Sequence, residues 1–104
     1  MAALPPIANL QAFEAVARRR SFALAASELH LTASAISHQI SRLESHLGIR
    51  LFERSAHTVR LSPAGEALLA ETRKICDGVE SLRATARGLI GGLEAELRLA
   101  VMCT

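Results

Sequence analysis

The chain has no tryptophan and no tyrosine, and its three aromatic residues are Phe13, Phe22 and Phe52. With so few rings it has no stacking platform for splayed bases, which argues against single-stranded nucleic acid as a partner. Cysteine is almost as scarce. Cys76 and Cys103 are too few and too far apart for a disulfide framework or a C-x-x-C site, a usage that fits a reducing compartment. Cys76 reads as a small apolar residue, with redox sensing as the lesser alternative. The one aspartate is Asp77, and neither a paired carboxylate nor a phosphate-binding glycine loop occurs. Ser37 and His38 are neighbours that point in different directions, so no hydrolase triad can be assembled and no enzymatic activity is expected. The histidines at 30, 38, 46 and 57 lack the three- or four-residue spacing of ligands on one helical face, so neither a metal nor another cofactor is expected in this chain. There is no apolar run of membrane-spanning length and no basic segment followed by an apolar one at the start. No membrane partner is expected, and the chain is assigned to the cytoplasm.

What is present is a chain of 104 residues, 50% apolar and 21% charged, long enough for one domain with a modest core plus an appendage. The formal net charge is only +2, so a nucleic-acid footprint must come from how the charge is distributed. Between His30 and Arg60 lie Arg42, Arg50, Arg54, Arg60 and all the histidines, against Glu44 and Glu53 alone. After Pro63 acids and bases nearly balance.

Pro5 and Pro6 can precede or open a helix, and Leu10, Phe13, Val16 and Ala17 then repeat at helical spacing, giving a first helix near 7–19. Arg18, Arg19 and Arg20 suit its negative end or a phosphate contact equally well. Ser21 caps a short second helix, Phe22 to Leu29, in which Ala25 and Ala26 allow close crossing. Thr32 caps a third helix that ends at Leu47, with Gly48 as its left-handed stop. Two helices joined by so short a turn match a helix-turn-helix.

The third helix carries two opposed faces. Ile36, Ile40, Leu43 and Leu47 stack on one side and are expected to be buried. Ser34, Ser37, His38, Ser41 and Ser45 line the other, with no lysine or glutamate among them. Short hydrogen-bonding side chains let a helix approach another surface closely, so this helix, about 32–47, is expected to enter the major groove of DNA. Thr32 and Ser34 then fall near phosphates, Ser37, His38 and Ser41 near base edges, and Arg42 on the flank. For Arg42 the alternative is an ion pair with a nearby glutamate, and for His38 simple exposure to solvent.

Next, Ile49, Leu51, Val59 and Leu61 alternate with polar residues around a tip at Ser55–His57, a small hairpin or wing over about 50–61. Arg54, His57 and Arg60 lie on it, beside the backbone or the minor groove. Ser62 and Pro63 open a fourth helix. Along it Leu68, Thr72, Ile75, Val79, Leu82, Ala86, Leu89 and Leu93 step by four and three, a heptad seam that implies a helical partner and hence a homodimer. Gly78 has no evident purpose beyond a close helix approach. Gly91 and Gly92 supply the expected stop near Ile90, and the last residues alternate like the start of a strand.

Several linked motifs now carry a family likeness. LQAFEAVA at 10–17, Ser21-Phe22 with Ala25-Ala26, AISHQI at 35–40 with Leu43-Glu44, Leu47-Gly48, LFER at 51–54 and LSPAG at 61–65 resemble, in that order, the DNA-binding half of LysR-type transcriptional regulators. The SHQI run and double proline resemble the branch containing regulators of glycine cleavage and chromosomal β-lactamase. The resemblance implies a mainly α fold: a winged helix-turn-helix over residues 1–62, a dimerisation helix over 63–92, and over 93–104 the start of an effector-binding domain. It implies double-stranded DNA as partner, binding as dimers or tetramers, and a small-molecule effector for the domain that is not here. The chain would then be a piece of a longer bacterial regulator. Many relatives have Gln-Pro at Ala33-Ser34 and Arg at His38, so base readout by that Gln and Arg does not carry over. The alternative is an assembly module acting through the long helix, with the short-residue face docking on protein.

Overall fold

The computed structural model describes residues 4–53 and 58–102, the last by its backbone alone. They form α1 (Ile7–Arg19), α2 (Phe22–Glu28), α3 (Ala33–Leu47), β1 (Phe52–Glu53), β2 (Arg60–Leu61) and α4 (Pro63–Met102). The fold is mainly helical, with one antiparallel ladder that pairs Phe52 with Leu61 and Glu53 with Arg60.

Local chemistry sets the helix limits. The Pro6 carbonyl accepts the Asn9 N–H at 3.0 Å, and Arg20 closes α1 in the left-handed region at φ 52°. Ser21 Oγ accepts the Leu24 N–H and Thr32 Oγ1 the Ala35 N–H, each at 3.0 Å. Caps of this kind each contribute about 1 kcal/mol. Gly48, at φ 68°, ends α3 with its N–H on the Glu44 carbonyl, a backbone position where a side chain would be strained.

The core lies where one side of α1 meets the other elements. Phe13, Val16, Ile36, Leu43 and Leu51 are fully buried, with Ala25 and Ala26 beneath α2. All three aromatic rings meet there: Phe13 packs edge-on against Phe52 at 5.6 Å, and Phe22 lies 6.1 Å from Phe52. One expected core position is different. Leu47 is 43% exposed, because α3 runs past the last core layer, which Leu51 and Phe52 fill instead.

The junction between wing and α4 is tightly built. Ser62 Oγ donates to the Arg50 carbonyl at 2.6 Å and accepts the Gly65 N–H at 2.9 Å, while the Ser62 N–H donates to the Leu51 carbonyl at 2.9 Å. Gly65 is pressed against that carbonyl: an added Cβ would lie 2.0 Å from the Leu51 oxygen.

Two expectations for α4 are corrected. Thr72 is buried against its own domain, with Oγ1 donating to the Leu68 carbonyl at 2.8 Å, and Leu68 is half-buried against the core. The exposed part of the seam therefore begins at Ile75. Nor does α4 stop at Gly91-Gly92; it continues to Met102, and residues 93–102 form no strand. Each glycine costs about 1 kcal/mol, but extending an existing helix needs no new nucleus, and the segment LEAELRLA is rich in strong helix formers. Its alternating leucines also satisfy helical spacing through Leu89, Leu93 and Leu97. An added Cβ at Gly78 would meet nothing within 4 Å, so no close approach among the described residues accounts for that glycine. The helix is about 60 Å long at 1.5 Å per residue.

Gly65→Ala is expected to destabilise the domain by about 1–3 kcal/mol through forced overpacking against Leu51, read as a lower urea midpoint with an unchanged slope.

Candidate nucleic-acid interface

Burial of Ile36, Ile40 and Leu43 fixes the rotation of α3 and turns its short polar side chains outward. Ser34, Ser37, His38, Ser41 and Arg42 are all exposed. Among the described residues none of these side chains has a hydrogen-bond or ion-pair partner in the chain, so Arg42 makes no pair with a glutamate. Thr32 is exposed too, but its hydroxyl is engaged as the helix cap.

Glu44, the one acid on α3, is turned away from this face. Its Oε2 accepts the Leu51 N–H at 2.8 Å, which ties the helix end to the chain entering the wing. Sequence reading missed this bond, since its spacing of seven residues crosses a turn whose path only the fold defines.

On the wing, Arg60 is exposed and forms no ion pair with Glu53 opposite it among the described residues. Arg54 and His57 lie outside the described residues. The recognition-type helix, its preceding helix and a two-residue ladder thus form a winged helix-turn-helix, with donors projecting from α3 and a cation at the base of the wing.

Residues 7–66 match the bacterial regulatory helix-turn-helix proteins of the lysR family. The chain belongs to that family. It is 41% identical over 100 residues to a probable hydrogen peroxide-inducible genes activator of Mycobacterium xenopi, covering 96% of this chain and 53% of the relative. It is 46% identical over 72 residues to the glycine cleavage system transcriptional activator homolog of Haemophilus influenzae, covering 69% of this chain and 24% of the relative. The chain thus spans about half, or less, of these relatives' length. The crystal structure of the BenM DNA-binding domain in complex with benA site 1 DNA superposes with a TM-score of 0.74 at 30% identity, covering 81% of this chain and 94% of that one. The chain therefore carries a LysR-family DNA-binding domain with its long helix, in a family of transcription regulators and not of enzymes.

In this LysR-family domain the three arginines ending α1 divide their roles. Arg18 Nε contacts Glu14 at 3.0 Å and Nη1 contacts Glu28 at 2.9 Å, and Arg19 lies 4.0 Å from Glu28. Arg18 therefore ties α1 to α2. The Glu28 partnership was not legible locally, because it spans ten residues. Arg20 instead lines a cleft beneath the wing with Arg60 and Arg73. Cys76 is half-buried, and burial, then the Glu14 and Asp77 carboxylates, push its thiol pKa up. That keeps the thiol protonated, the opposite of what a redox sensor requires. No helix among the described residues is long and apolar enough to cross a membrane.

The Arg18 hydrogen bonds hold the Glu28 carboxyl below its ordinary value, so the folded state takes up this proton less readily than the unfolded chain. The stabilisation is full above the unfolded carboxyl's value and lost as pH falls through the lower folded value. Glu28→Gln is therefore expected to be less stable than the parent at pH 7 and to lose less stability on acidification, measured by urea unfolding across that range.

Proposed function

We propose that this chain binds duplex DNA sequence-specifically as a homodimer, serving as the DNA-binding part of a bacterial transcription regulator in the cytoplasm. The observation that carries this reading is the exposed face of α3, rich in hydrogen-bonding groups, free of acid and unpartnered among the described residues. The solved BenM complex with DNA supports the same use of the fold.

With α3 in the major groove, Thr32 and Ser34 approach phosphates at its N-terminal end, while Ser37, His38 and Ser41 reach base edges. A neutral His38 can donate or accept at a base edge, and a protonated one donates twice. Arg42 contacts phosphate from the flank. Arg54, His57 and Arg60 serve the wing, against the backbone or minor groove. In this division residues 1–62 read DNA and the long helix from 63 joins two copies. Ile75, Val79, Leu82, Ala86 and Leu89 supply the seam, and Leu93 and Leu97 extend it along the same edge. Leu82 and Leu89 are 70% and 66% exposed, an apolar edge that a partner helix would cover. In the whole protein a further domain would sense a small-molecule effector, and dimers could pair into tetramers.

That same exposed edge favours the second reading, an assembly module. Selection from a random duplex pool separates the two. The DNA reading expects an enriched inverted repeat bound with a steep negative salt slope, and a folded dimer that enriches nothing at any salt would favour assembly.

Arg42→Ala is expected to weaken binding to all sequences and flatten the salt slope by about one unit, whereas His38→Ala should cost ~1–3 kcal/mol at one base position only. Leu82→Glu with Leu89→Glu is expected to give a folded monomer in sedimentation velocity, with weakened operator binding. A dimer that survives both changes would exclude this seam.

A further inference from the structure

The cleft beneath the wing stands apart from the groove-reading face. It encloses about 800 Å³ and takes its walls from α1, the wing and the root of α4, and among the described residues none of its lining comes from α3. That volume is in the range of small-molecule sites. Its floor is apolar, made by Phe52 and Leu69, both buried, with Leu61 half-buried beside them. Three guanidiniums reach it from three separate elements: Arg20 ends α1, Arg60 lies in β2 and Arg73 sits on α4. Arg20 holds a left-handed position at φ 52°, where the corresponding end of α3 has Gly48, so the chain keeps a long cation where a glycine would be less strained. None of the three arginines forms an ion pair among the described residues, although Glu53 and Glu66 line the same cleft and Asp77 stands one turn from Arg73. Their neighbours do pair, Arg18 with Glu14 and Lys74 with Glu71.

Unpaired guanidiniums around an apolar floor fit an organic anion. We propose that this cleft binds a small carboxylate with an apolar body, the carboxylate held by Arg20 and Arg73 and the body resting on Phe52, Leu61 and Leu69. A guanidinium meets a carboxylate in a planar fork of two hydrogen bonds, a geometry that lysine cannot supply. Glu53 and Glu66 set the size of the charge. With these two acids against three arginines, the cleft keeps one positive charge in excess, which suits a single carboxylate and opposes a polyanion. A DNA backbone would face both acids and leave the apolar floor uncovered. Nor does a second copy fill the space: at about 100° per residue Arg73 lies on the opposite side of α4 from Leu82, so a helix paired along the seam leaves the cleft open.

The test uses the full chain, with indole-3-acetate as the probe and uncharged indole-3-acetamide, nearly the same in shape, as its control. The chain has neither tryptophan nor tyrosine, so indole fluorescence anisotropy reads the probe alone, and backbone amide NMR shifts locate it. Indole-3-acetate is expected to bind saturably, more tightly than the amide, and to shift the resonances of Phe52, Leu61 and Leu69. Arg20→Gln and Arg73→Gln should each weaken it about two- to fivefold, the range of an exposed charge contact, and leave the amide's binding unchanged. Arg73 is exposed on its helix, so that variant keeps the test standing if Arg20→Gln disturbs the end of α1. Equal binding of acid and amide, shifts confined to the seam at Leu82 and Leu89, or no binding of the acid by the folded chain would each overturn the proposal. So would variants that bind the acid like the parent but lose duplex affinity, a result that would give the cleft to DNA.

Discussion

The edge contact of Phe13 on Phe52 is the interaction through which the helical bundle and the wing become one body. Phe13 is fully buried in the middle of α1, and α1 packs against α2, α3 and α4. Phe52 opens the ladder that carries the wing. Their perpendicular arrangement, at an interplanar angle of 79°, is the favourable one for two quadrupolar rings and adds about 0.5–1.5 kcal/mol beyond area burial. A chain with three aromatic residues has brought all of them to one place. Since β1 and β2 pair over only two residues each, the ladder alone would be marginal, and its position depends on this packing.

From that centre the orientation of α3 follows. Its three buried aliphatic residues lock the helix against α1 and α2, which leaves the short polar side chains no option but solvent or a ligand. The acid that would have repelled an anionic surface is employed elsewhere, as the acceptor that ends the helix-to-wing turn. One residue thus serves stability and clears the recognition face at once. The arginines show the same economy, with Arg18 kept for joining α1 to α2 while Arg42 and Arg60 stay unpaired among the described residues.

Much of this was legible in the chain because it is local. Ser21, Thr32 and Gly48 mark helix ends through contacts within a few residues, and the spacing of Ile36, Ile40 and Leu43 gives the buried face directly. The polar face of α3 was legible for the same reason. What escaped depends on the path of the chain through space: Glu44 reaching Leu51, Glu28 reaching Arg18, and Gly65 meeting the Leu51 carbonyl. Leu47 had the right spacing and no core left to enter. Thr72 belonged to the apolar row, yet the row begins inside the domain before it emerges. The glycine pair at 91–92 misled in another way, since a local propensity was weighed as a stop when the helix around it only had to be extended.

The block at Ser62 and Gly65 has a mechanical consequence. The first turn of α4 is fastened to Arg50 and Leu51 by two hydrogen bonds from Ser62 and a backbone contact too close for any side chain, so the helix leaves the domain without a flexible hinge. It behaves as a rigid arm about 60 Å long, and a tilt of about 5° at its root would carry the far end through about 5 Å. Conversely, whatever grips the distal part of the arm aims the reading head at its base.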